Sequence, residues 1–178
     1  LVQEMAEFWR TFTLEALETV LRRVRVDVLY ISEDMAYKAH SMISPAMTRR
    51  FLQPAYLSWR DLARSYDVPL YDIDSDGYVA ELIPIWIESG FNCCNPVEVA
   101  AGNDIVAYRK RFGRHIASRG GIDKRLIAAG GQAMRAEGMR VAPLLNEGGY
   151  LPGCDHGVPP DISWPNFLEY TRLLAQLQ

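Results

Sequence analysis

Very little of this sequence speaks for a secreted, membrane-spanning or nucleic-acid-binding protein. It has only three cysteines in 178 residues, and two of them, Cys93 and Cys94, are adjacent. That is no disulfide framework, so the chain reads as one made for a reducing, cytoplasmic compartment. No apolar run approaches the roughly 18 residues of a membrane span, and no stretch has the pattern of a signal peptide. There is no long basic run, and the net charge is −3. Nucleic acid and anionic membrane surfaces are therefore poor partners. Low-complexity tracts and internal linkers are also missing.

What is present suits one packed domain. Hydrophobic residues make up 49% of the chain and charged residues 23%, enough apolar material for a core. The chain opens on Leu1 in a helical pattern, and we expect it to be a piece of a longer protein.

The pattern alternates. Residues 3–23 place Phe8, Phe12, Leu14, Leu17 and Leu21 at helical spacing. Val26–Ile31 is a short β-branched run ending in Ser32–Glu33–Asp34. Ser44–Pro45 predicts a capped helix to about Tyr66, bent at Pro54. Val68–Ile73 repeats the strand pattern and ends in Asp74–Ser75–Asp76–Gly77, with a helix expected over 79–88. Residues 91–96 and 115–119 predict two more strands, and 104–112 a helix between them. Gly120–Gly121 reads as the turn after the fourth strand, and helices fill 124–146 with a break at Gly130–Gly131. The fifth strand opens the stretch Tyr150–Pro160, and Ser163–Trp164–Pro165 caps a last helix.

Strands alternating with helices predict an α/β fold with about five parallel strands, part of a TIM-like (β/α)8 barrel. In such arrays the ligand site lies at the carboxyl ends of the strands. Each strand here ends in polar or glycine-rich residues: Glu33 and Asp34, Asp74 and Asp76, Asn95, Gly120 to Asp123, and Cys154 with His156. That recurrence predicts a site at the barrel mouth. His156, Asp34, Asp74 and Asp76 are its candidate acids and bases, because imidazole and carboxylate exchange protons near neutral pH when their surroundings tune them. Glu33, Asn95, Gly121 and Asp123 are candidate substrate contacts. Cys154, Asp74, Asp76 and His156 are all metal-ligand types and form a candidate metal set. Cys93 and Cys94 read as small core hydrophobes, and His40 and His115 as structural or surface residues. Lys124, Arg125 and the run Arg109–Arg111 read as solvated helix faces. A half-barrel exposes two parallel edges, so a missing N-terminal half or a second copy is expected to cover them.

Several short motifs carry a likeness. Ser32–Glu33–Asp34, Ile43–Ser44–Pro45, Asp74–Ser75–Asp76–Gly77, Gly120–Gly121–Ile122–Asp123 and Gly153–Cys154–Asp155–His156–Gly157 occur in order over residues 26–178. In this the chain resembles the C-terminal half of the uroporphyrinogen decarboxylase superfamily. That superfamily holds haem-biosynthesis decarboxylases and zinc-dependent methyltransferases that work with corrinoid proteins or cobalamin. The resemblance implies an (α/β)8 barrel lacking three N-terminal strands. His156–Gly157 is similar to the His-Gly of the decarboxylase pocket, which implies decarboxylation of a tetrapyrrole or related small carboxylated substrate, without a cofactor. Cys154 is similar to the last zinc cysteine of the methyltransferases, which implies zinc and a corrinoid protein partner. The methyltransferases' His-x-Cys pair is replaced here by Asp74–Ser75–Asp76. The decarboxylases' catalytic aspartate and arginine pair, which lie in the N-terminal half, have no counterpart among these residues. A non-catalytic barrel fragment that needs a partner half is the third expectation.

Overall fold

A computed structural model describes residues 1–177. Helix α1 (Val2–Leu21) leads into β1 (Val28–Ser32). Helices α2 (Pro45–Phe51) and α3 (Gln53–Ser65) follow, then β2 (Leu70–Asp74), α4 (Ile83–Glu88) and β3 (Cys93–Asn95). A single 3-10 turn at Val99–Ala101 precedes α5 (Ile105–Phe112), β4 (Ala117–Ile122), α6 (Lys124–Ala129), α7 (Gly131–Glu147), β5 (Tyr150–Cys154) and α8 (Trp164–Leu177). The five strands form one parallel sheet in the order β1-β2-β3-β4-β5. This is the expected α/β architecture, a partial TIM-like barrel whose sheet is not closed.

The boundaries shifted where local chemistry overrode pattern. The expected helix over 44–66 is two helices meeting at Leu52, because Pro54 in the first turn of α3 offers no N–H to continue the ladder. Ser44 does cap α2, accepting the Met47 N–H at 3.2 Å. The helix expected over 79–88 shrinks to six residues, since Pro84 can sit only in a first turn. Gly120 and Gly121, expected as a turn, lie inside β4.

Alternation sorts the sheet into two faces. Leu29, Tyr71, Ile73 and Cys94 point under the helices and are buried. Trp86, Tyr56, Ile83 and Ile127 close over them to make the core. Along the strands, Val28, Tyr30 and Leu70 carry the opposite parity, and Val28 pairs in register with Leu70, Tyr30 with Asp72. That opposite face is the inner wall of the barrel, and it is open: Val28, Tyr30, Leu70 and Leu151 are all exposed. Its base is apolar and its rim polar.

Two sets of cations differ from expectation. Arg109 is not solvated; its guanidinium donates to the carbonyls of Gly148 and Gly149, both at 2.9 Å, and ties α5 to the turn before β5. Lys124 is mostly covered and pairs with Glu98 at 2.9 Å.

Candidate active site at the strand ends

A cleft of about 680 Å³ opens over the rim of the inner face. Asp74, Asp76, Asn95, Arg119, Cys154 and His156 line it. Four of the five strand ends that the sequence singled out therefore converge on it: those of β2, β3, β5 and, through Gly120, β4.

The central pair joins residues 80 apart. His156 Nε2 lies 3.1 Å from Asp76 Oδ2, and both side chains are a little under half exposed. Each is held by its loop. The Asp76 N–H donates to Asp34 Oδ1 at 3.1 Å, and the buried Ser75 hydroxyl accepts the Met35 N–H while donating to the Asp76 carbonyl. On the other side Asp155 is fully buried. Its carboxylate accepts the Val99 N–H at 2.8 Å and the Lys124 N–H at 2.9 Å. One buried side chain thus pins the β5 loop to the loops after β3 and β4, and His156 is its neighbour.

Asp74 sits beside this pair. Burial raises its pKa, and the charges of Asp76 and Asp34 raise it further against the hydrogen bonds of Tyr30 and Ser32. Burial also raises the Cys154 thiol, against backbone N–H groups of Asp155 and His156 that favour the thiolate. Burial thus favours the thiol of Cys154 over the thiolate, which is the nucleophilic form.

Below the pair runs a network that the sequence did not reveal. Arg119 Nη2 donates to Asp72 Oδ2 at 3.0 Å, and Asn95 Nδ2 donates to Asp72 Oδ1, also at 3.0 Å. The Arg119 guanidinium lies 5.9 Å from the Tyr30 ring. Strand parity was the available signal. Asp72 is in register with Cys93 and Cys93 with Ala117, so Arg119, two residues on, must share the face of Asp72 and Asp74.

Other expected residues stand elsewhere. Asp34 does not line the cleft; it occupies a left-handed backbone conformation (φ 48°) and braces the Asp76 backbone. Gly121 lies behind the wall, packed on Ile105, and Gly120 lines the cleft in its place. Asp123 is a helix cap: it accepts the Arg125 N–H at 2.9 Å and pairs with the Arg125 guanidinium. The expected metal set is not assembled. Asp76 and His156 meet, but among the described residues no three His, Cys, Asp or Glu side chains gather closely enough to hold a metal ion. The donor set as it stands does not fit zinc, which takes three or four protein ligands.

Glu33 also misses the cleft. One residue beyond Ser32, it has the parity of Leu29 and Ile31 and turns into the helix layer beside Tyr56 of α3. Burial raises its pKa to about 7, with Asp34 adding and Tyr56 opposing. A carboxyl raised in the fold stabilises it below the unfolded value near 4.5 and loses that stability as pH rises through 7. Urea midpoints should therefore fall between these pH values, with a ceiling of roughly 3 kcal/mol at about 1.4 kcal/mol per unit. Glu33→Gln should flatten that slope; an unchanged slope would place the titration elsewhere.

No family model matches the chain, and no curated protein matches it significantly. Among solved structures it is similar to a methyltransferase from Methanosarcina mazei, with a TM-score of 0.64 and 19% sequence identity. The likeness covers 92% of this chain and 47% of that protein. At that identity it is a likeness of fold, and this chain spans about half of the methyltransferase's length.

Proposed function

We propose that this chain is the proton-handling half of a (β/α)-barrel enzyme of the uroporphyrinogen decarboxylase-like superfamily, and that its chemistry is methyl transfer to a small substrate. The His156–Asp76 pair carries the reading: an imidazole and a carboxylate within hydrogen-bond distance at the mouth of a cleft. With the proton on Nε2, Asp76 holds that tautomer and leaves Nδ1 to accept a proton. The substrate heteroatom gains the methyl group and gives its proton to His156. Asp76 stabilises the imidazolium that results.

The shared fold with a methyltransferase supports this side of the superfamily. So does the charge of the rim. Asp74 and Asp76 line the cleft, against a single guanidinium, that of Arg119. A tetrapyrrole bearing many carboxylates would meet like charge there. The cleft takes the small substrate, and the methyl group would arrive on a separate corrinoid protein, as the likeness to the corrinoid methyltransferases implies. No step is assigned to zinc. Reconstitution with the complementary half should give methyl transfer from a methylated corrinoid protein. Uroporphyrinogen decarboxylation in its place would refute the reading, and neither activity would favour a non-catalytic fragment.

The complementary half has a marked docking surface. Met5, Phe8, Trp9 and Phe12 form an exposed apolar stripe on α1, with Phe12 stacked on Phe8 and on Trp9. An apolar groove of about 410 Å³ continues from Ala16 and Val20 of α1 to Val28 and Tyr30 of β1. Among the described residues the outer edge of β1 has no paired strand. A free parallel edge beside an apolar helix face fits one occupant, a further β/α unit that extends the sheet. The double variant Phe8→Glu, Trp9→Glu should weaken binding of the complementary half at least tenfold by titration calorimetry. Binding left intact, or self-association through this face, would overturn the assignment.

A further inference from the structure

The cleft is bipolar. Asp74 and Asp76 present carboxylates to it, and Arg119 presents a guanidinium. Arg119 is 48% exposed and Asp72, its partner, only 10%. Only one of its five N–H donors has a partner among the described residues, the Nη2 bond to Asp72. The Asp72 carboxylate is satisfied on its other oxygen by Asn95, itself buried. Exposed ion pairs are weak and mobile, worth about 0–1 kcal/mol. This one is different in build: a buried acid, fixed by a buried amide, aims a half-exposed guanidinium over the Tyr30 ring into the cleft. A guanidinium with free donors in a fixed fork is matched by a carboxylate, which it takes in bidentate fashion.

We propose that Arg119 anchors a substrate carboxylate, and that the cleft takes a small bipolar molecule whose amine or other cationic end lies against Asp74 and Asp76. This names the substrate class of the proposed methyl transfer and rests on that reading only for the role of His156; the binding itself does not need it. Asp72 and Asn95 are positioning residues. The amine is the atom beside the His156–Asp76 pair, so it is also the atom that would be deprotonated.

The test is calorimetric titration of the full chain with β-alanine, γ-aminobutyrate and δ-aminovalerate, a series of increasing length between carboxylate and amine. Valerate and pentylamine serve as one-ended probes. At least one amino acid should bind tenfold or more tighter than either one-ended probe. Arg119→Gln should remove the advantage of the amino acid over pentylamine; Asp76→Asn should weaken the amino acid toward the affinity of valerate, with Asp74 left to hold the amine. Because Arg119→Gln strands the Asp72 charge, Arg119→Lys is the second variant. It keeps Asp72 paired and loses the fork, so it should melt like the parent yet bind the amino acid several-fold more weakly. Equal affinities for all probes, or amino acid binding indifferent to both Arg119 variants, would overturn the proposal. His156→Gln separates the two readings. Normal binding with no turnover leaves the anchor standing and concerns only catalysis; tight binding with normal turnover refutes the acid/base role alone.

Discussion

His156→Ala is expected to lower kcat by about 10²–10⁴-fold in the reconstituted enzyme, the usual weight of a positioned general base. KM should change little, because the substrate's charges are met by Arg119, Asp74 and Asp76 and not by the imidazole. An equal loss in kcat and kcat/KM marks an interaction made only in the transition state. Asp76→Asn should give a smaller loss in kcat. It keeps a group at 3.1 Å from Nε2 but removes the charge that favours the imidazolium. The two defects should not multiply. Once His156 is gone, Asp76 has no imidazolium to stabilise, so the double variant should resemble His156→Ala. Steady-state kinetics of the three variants decides it. A His156→Ala enzyme within tenfold of the parent would remove the pair from the chemistry.

How much of this arrangement can be read from sequence depends on which physical rule positions each residue. The mouth itself was legible. A parallel βα array puts strand ends on one side, and polarity at those ends marked it. Asp74, Asp76, Asn95, Cys154 and His156 came out of that rule and do line the cleft. Glu33 failed the same rule through parity. Ser32 pairs with Asp74 on the inner face, so the next residue faces the helices. Counting by twos from Asp74 would have shown it. Asp123 and Asp34 failed because short acidic side chains satisfy backbone donors close by as readily as they face a ligand. The His156–Asp76 contact spans 80 residues, and no local pattern encodes it. Arg119 was missed for a different reason. It sits mid-strand, where a charge reads as an edge feature until its register with Asp72 is known.

The fold also spends buried polarity on the site. Asp155, Asp72, Asn95 and Ser75 are all buried, and each bonds backbone or side chains of a neighbouring strand end. Such groups are costly unless fully paired. Their concentration at the rim, with an apolar core beneath, is what a rigid mouth on an open sheet requires.

Gly120→Ala is expected to have the largest effect on the mouth. Gly120 adopts φ 97°, a region that side chains rarely enter, and a Cβ there would lie 2.1 Å from the Pro96 carbonyl oxygen. The neighbouring bonds leave no easy escape. Gly121 N–H donates to that same oxygen at 2.9 Å, and the Tyr150 hydroxyl donates to the Gly120 carbonyl at 2.9 Å. The methyl group must push β4 away from the Asn95–Pro96 end of β3 or twist the strand out of register. Strain at φ and forced overpacking each contribute about 1–3 kcal/mol, so the loss should be about 3–5 kcal/mol by urea unfolding. Since Asn95 orients Asp72, and Asp72 orients Arg119, the same shift should weaken carboxylate binding in any protein that remains folded. Gly157→Ala is the control. It lines the same cleft, but its Cβ would meet open space, so its cost should stay within about 0.5 kcal/mol. Equal stabilities for the two variants would mean that β3 and β4 are not held together at Gly120.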